Sequence, residues 1–95
     1  MSVRFERDPT KAEANRAKHD ISFEEAMTVF ANPLARIFPD EEHSIDELLE
    51  IIIGHSARRQ LILVHFTSIK NRVRIFSARK ATRRERKDYE ENVGS

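Results

Sequence analysis

Between Arg72 and Tyr89 an alternating strand pattern runs without a spacer into a strongly basic helix. Strand side chains alternate, so Val73, Ile75 and Ser77 are expected on one face of a sheet and Arg72, Arg74 and Phe76 on the other. Thr82, followed three residues later by Glu85, forms a capping box and starts the helix there. Arg79, Lys80, Arg83, Arg84, Arg86 and Lys87 therefore gather around one strand-to-helix corner. A cluster of that density selects for a polyanionic partner, and nucleic acid is the plainest one.

Charge is divided unequally along the chain. Residues 1–50 hold 6 Lys/Arg and 12 Asp/Glu, for a net −6, and residues 51–95 hold 11 and 4, for a net +7. The overall charge of +1 conceals this split. One reading is a basic pole for a polyanion and an acidic pole for something else; the other is ordinary solvated surface. Ninety-five residues make one domain, expected over 1–95, with a single modest core. The chain has no cysteine, so it has neither a disulfide framework nor a thiolate zinc site. No apolar run approaches the ~20 residues of a membrane helix. Met1 to Phe5 leads into charges rather than an apolar signal segment. These features predict a soluble, cytoplasmic protein with no membrane partner.

The segment Val3 to Glu6 suits a short opening strand. Asp8 caps and Pro9 opens a helix running to about His19, with its Ala12 and Asn15 side toward the core. Ser22-Phe23-Glu24-Glu25 is a second capping box. Phe23, Ala26, Met27 and Phe30 then recur at the spacing of one buried helical face, and Asn32-Pro33 stops that helix. Strands follow at Leu34–Phe38, Leu48–Ile53, Leu61–Phe66 and Arg72–Ser77, separated by hairpin-length connections at Gly54–Gln60 and Thr67–Asn71. Pro39 to Asp46 is an acidic loop. The expected architecture is α+β: an N-terminal helix pair packed on one face of a curved antiparallel sheet, with a C-terminal basic helix.

Taken in order, several stretches resemble one known family. They are Asn15-x-x-Lys18-His19-x-Ile21-Ser22-Phe23-Glu24-Glu25-Ala26, Val29-Phe30-x-Asn32-Pro33, Ile53-Gly54, Arg74-Ile75-x-Ser77-Ala78-Arg79-x-Ala81, and finally Glu85 and Tyr89. Over residues 3–91 this order and spacing is similar to the BrnT toxins of type II toxin–antitoxin pairs. The resemblance implies a RelE-like fold and a ribonuclease that stops translation. It also implies a BrnA-like antitoxin as partner, two toxins assembling with two antitoxins. Operator DNA would be contacted through the antitoxin alone. The family commonly has an arginine five residues before the glycine of Ile53-Gly54, where this chain has Leu49. That departure leaves room for an attenuated toxin acting through its partner.

Cleaving RNA without a metal requires orienting or deprotonating a 2′-hydroxyl, stabilising the charge of a pentavalent phosphate, and protonating the leaving 5′-oxygen. Arginine suits the second task, because its planar fork pairs with two phosphate oxygens and stays charged. Arg79 and Arg74 are the catalytic candidates on this ground, with Arg74 alternatively paired across strands to an acid such as Glu50. His19 and Lys18 join them from the family motif; a histidine at a helix end either transfers protons or merely caps carbonyls. His65, inside an apolar strand, reads as a satisfied sheet histidine. His55 follows Gly54 at a strand end. Arg83, Arg84, Lys80 and Tyr89 are expected to bind RNA; Tyr89 would stack on a base or donate a proton, and its other reading is an anchor of the last helix to the sheet. Asp40, Glu41, Glu42 and His43 are adjacent rather than at ligand spacing, so no metal site and no cofactor are expected. A direct DNA-binding regulator is disfavoured, since the N-terminal helices lack a basic recognition face.

Overall fold

The computed structural model describes residues 4–41 and 49–93. The elements are β1 (Arg4–Glu6), α1 (Pro9–His19), α2 (Phe23–Val29), β2 (Arg36–Pro39), β3 (Glu50–His55), β4 (Leu61–Ile69), β5 (Arg72–Lys80) and α3 (Arg83–Val93). The strands form one sheet in the order β1-β5-β4-β3-β2. All neighbours are antiparallel except β1, which runs parallel to β5 with Arg4 opposite Arg72. The sheet is therefore mixed at one edge rather than antiparallel throughout.

Local chemistry sets the helix ends. The Asp8 carboxylate accepts from the Thr10 amide at 2.8 Å, and Asp20 closes α1 with φ 57°, a left-handed position that aspartate tolerates. Ser22 accepts from the Glu25 amide at 3.0 Å, but Glu25 does not complete the box. Its buried carboxylate instead crosses to the β3–β4 turn, where it accepts from Ser56 Oγ at 2.7 Å and Gln60 Nε2 at 2.8 Å. At α3 the box is complete. The Thr82 amide donates to Glu85 Oε1 at 2.8 Å, and the Glu85 amide donates to Thr82 Oγ1 at 3.1 Å.

The main core lies between α1–α2 and the sheet. Ile21, Phe23, Ala26 and Val29 meet Ile52, Ile62, Val64, Phe66, Ile75 and Ala78 there. Asn15 bolts the layers together. Its Nδ2 donates to the carbonyls of Ile21 and Ala78, both at 2.9 Å, and its Oδ1 accepts from the Ala78 amide at 3.0 Å. A second, smaller cluster of Ile53, Leu61, Leu63 and Tyr89 lies on the opposite face, under α3. Thus α3 covers part of the face that the helix pair leaves open.

The β4–β5 pairing shifts register between His65 and Phe66. Phe66 lies opposite Ile75, and His65 lies opposite Ser77, so Phe76 is the extra residue of a β-bulge. Ile75 and Phe76 both face the α1–α2 side, where Lys11 Nζ lies 4.8 Å from the Phe76 ring. This overturns the simple alternation read from the sequence: Phe76 leaves the arginine face and Ser77 joins it. The strand ladder also runs to Ile69 and Arg72, shrinking the Thr67–Asn71 connection to Lys70 and Asn71, with Lys70 at φ 57°. Among the described residues no helix is long and apolar enough to cross a membrane.

Candidate nucleic-acid interface

The bulge determines which side chains share the face beside α3. Four β4–β5 pairs project there: Ile69 with Arg72, Thr67 with Arg74, His65 with Ser77 and Leu63 with Arg79. The ladder continues across the sheet through Leu63–Ile53–Arg36 and through His65–Ile51–Phe38. Arg79 and Arg74 consequently lie on one face, although five positions apart. Arg74 is opposite Thr67 and beside Glu6 of β1, exposed to solvent. It has no cross-strand relation to Glu50, because β4 separates their strands. Leu49, whose carbonyl accepts from the Asp40 amide at 2.9 Å, continues the register of Ile51 onto this same face.

Arg79 is held from one end. Its Nη1 donates to Glu85 Oε1 at 2.8 Å and its Nη2 to Oε2 at 2.9 Å, while Nη1 also reaches the Lys80 carbonyl at 3.3 Å. This two-point pairing raises the Arg79 pKa and, with help from Thr82, holds Glu85 at about 2. Both groups are therefore charged across the working pH range. Guanidinium has five N–H donors, and these bonds use three. The Nε–H and the second Nη2–H remain uncommitted, side by side on the outer edge of the fork. Arg79 and Glu85 line a cavity of about 380 Å³ between the sheet and α3, together with Arg36, Phe38, Ile51, Asp88 and Asn92.

Tyr89 is buried at the same place, 5% exposed, with its hydroxyl donating to the Leu34 carbonyl at 3.0 Å. Burial pushes its pKa up, against the pull of nearby Arg36, so the hydroxyl stays a donor. Of the roles that the sequence offers for Tyr89, this geometry matches the anchor of the last helix. His55 packs edge-on to its ring at 5.7 Å. Arg83 and Arg84 are exposed on the first turn of α3. Lys80 is exposed at the end of β5, but it pairs with Ile62 and so belongs to the α1–α2 side. Lys18 and His19 also lie on that side, in the last turn of α1, and neither lines the cavity with Arg79. The catalytic candidates are thus divided by the sheet: Arg74 and Arg79 on one side, Lys18 and His19 on the other.

His65 occupies the arginine face instead. Its Nδ1 lies 3.2 Å from Ser77 Oγ, and its Nε2 lies 3.8 Å from a carboxylate oxygen of buried Asp40. The first is a hydrogen bond; the second is an ion-pair distance. Sequence reading treated His65 as a sheet residue, and it does have partners. What it missed was that the bulge would turn Ser77 toward it. Among the described residues no group of three or more His, Asp or Glu side chains is arranged to hold a metal ion. Glu42 and His43 of the acidic loop lie outside the described residues.

A family model for the ribonuclease toxin BrnT of type II toxin–antitoxin systems matches residues 8–85. The chain belongs to the BrnT toxin family. That span includes Asn15, Arg74, Arg79 and Glu85. Among solved structures, the ribonuclease toxin BrnT of Brucella abortus is similar in fold, with a TM-score of 0.64 at 22% identity. The likeness covers 87% of this chain and 99% of the Brucella BrnT chain. No curated protein sequence matches.

Proposed function

We propose that this chain is the toxin of a type II pair, cleaving RNA without a metal ion and so inhibiting translation. A BrnA-like antitoxin neutralises it, two toxins assembling with two antitoxins, and operator DNA is reached through the antitoxin only. The observation that best supports the catalytic reading is the Arg79 fork. Glu85 fixes one end, and two parallel N–H donors stay available on a side chain that lines a cavity. Such a donor pair is suited to two oxygens of a phosphate whose charge grows in the transition state. Arg74 adds a second cation on the same face, and Arg83 and Arg84 extend the positive field along α3.

Proton transfer has a local candidate in His65. Ser77 is positioned to relay a proton from a 2′-hydroxyl to Nδ1, while Asp40 favours the imidazolium that results. The 2′-oxygen then attacks phosphorus, the bond to the 5′-oxygen breaks, and that oxygen takes a proton from water. His19 and Lys18 are the competing candidates from the family motif and would act only on a substrate that wraps around the β5 edge.

The test is cleavage of a defined single-stranded RNA by the purified chain in EDTA. The unmodified protein should cut, and Arg79→Ala should lose about 10²-fold or more in rate. His65→Gln should lose activity and flatten the pH profile, whereas His19→Gln should not. Leu49→Arg, restoring the family's arginine on this face, should raise the rate. Full activity in Arg79→Ala would remove that residue from the site, and loss of all cutting in EDTA would refute metal independence.

A further inference from the structure

We propose that β5 is a track for extended single-stranded RNA, with Arg72, Arg74 and Arg79 as phosphate-binding positions and Ser77 in line between them at the 2′-hydroxyl; the proposal rests on the ribonuclease reading above. The spacing is the first argument. Their β4 partners are Ile69, Thr67, His65 and Leu63, each two residues from the next. Two residues of strand span about 7 Å. The positions therefore form an evenly spaced row, with a step close to the phosphate repeat of an extended single strand. The bulge at Phe76 keeps the row on one face; a regular strand through Phe76 would have sent Arg79 to the α1–α2 side.

The second argument is that folding does not account for Arg72 and Arg74, unlike Arg79, which Glu85 holds. Arg4 lies directly opposite Arg72, and like charges in that relation are destabilising. Arg72 has only a 3.9 Å contact to Glu6, its own side chain 63% exposed and that of Glu6 36%. Exposed pairs of this kind contribute little and yield readily to a competing phosphate. Arg74 is exposed beside the same Glu6, with Asp8 lining the same shallow surface pocket, and neither carboxylate forms an ion pair with it among the described residues.

The third argument concerns bases. Ile69, beside Arg72, is 62% exposed, and Phe38, in the cross-sheet row of His65 and Ser77, is 43% exposed. Apolar and aromatic surface next to a line of cations is how single strands are held without sequence readout. A duplex presents curved phosphate rows and hides its base faces, so it cannot use both features at once.

The experiment measures binding of a fluorescent 2′-O-methyl RNA oligonucleotide, which resists cleavage, and of a hairpin duplex of the same length, across a salt series. The single strand should bind at least about tenfold tighter. For single strands the logarithm of affinity falls with the logarithm of salt by about 0.7 per phosphate contact. Arg72→Gln and Arg74→Gln should each reduce that slope by about this amount, with an unchanged melting temperature for Arg72→Gln. An unchanged slope in Arg72→Gln, with the loss appearing in Arg83→Gln and Arg84→Gln instead, would overturn the track and place RNA on α3. Preference for the duplex would overturn it as well. Cleavage in EDTA is scored separately. Cutting with a wild-type slope in Arg72→Gln refutes the track and spares the nuclease reading; binding along β5 without cutting does the reverse.

Discussion

Glu85 has two tasks that a single carboxylate meets by geometry. It closes the capping box of α3 and grips the end of Arg79. Its pKa is about 2 in the fold against an ordinary 4.5. A depressed carboxylate pKa contributes stability that is fully present above the unfolded value and is lost as pH falls from about 4.5 toward 2. Both partners are about one-third exposed, so solvent screening keeps the contribution near 1 kcal/mol or less. Glu85→Gln should lower the urea midpoint modestly at pH 7 and converge with the parent near pH 2. It should also weaken RNA cleavage by loosening Arg79 while leaving the arginine charged. Asn15 poses a harsher case, since its side chain satisfies both the N–H and the C=O of Ala78. Asn15→Ala strands those buried groups and should cost about 2–4 kcal/mol in urea denaturation. The motif residue Asn15 is thus explained by packing, which the sequence signalled only as a helix side facing the core.

At the scale of elements, the bulge in β5 has the larger consequence. Deleting one residue from a regular strand inverts every side chain beyond it. Deleting Phe76 here should instead restore a plain ladder, with Ser77 and Arg79 on their present face. We expect that variant to fold, to lose about 1–2 kcal/mol through the missing Phe76 packing, and to retain RNA binding; collapse of binding would show that the bulge shapes the track as well as aiming it. The β2–β3 contact is less forgiving. A Cβ on Gly54 would lie 2.8 Å from Ala35 Cβ and 3.2 Å from Val29 Cγ1. Gly54→Ala should therefore destabilise by about 1–3 kcal/mol, and Ala35→Gly in the same chain should recover part of it. Helix ends were readable from Asp8, Ser22 and Thr82, because capping is local chemistry. Strand limits were less so: β4 and β5 extend three residues past the expected Phe66 and Ser77, since pairing with a neighbour decides where a strand stops.

For the molecule as a whole, the sheet divides the charge into two districts. Arg72, Arg74 and Arg79 lie on the side of α3, while Lys80, Lys18 and His19 lie with α1. An acidic antitoxin segment that only covers the α3 side should lose affinity steeply with salt. Salt-insensitive binding, measured by titration against the cognate antitoxin, would point to the apolar surface around Leu34 and Ile37 instead, where both residues are more than half exposed. The sequence by itself determined the α+β class, the element order, the helix caps, the basic corner and the family, because each is written in local pattern or in motif spacing. Only the tertiary structure decided that α3 crosses to the second face, that Phe76 bulges, that Ser77 meets His65, and that Lys18 and His19 are parted from Arg79. Those facts follow from which strands pair and in what register, and pairing is a negotiation between segments far apart in the chain. A single residue of slip between β4 and β5 reverses which arginines stand together, and no local pattern records it.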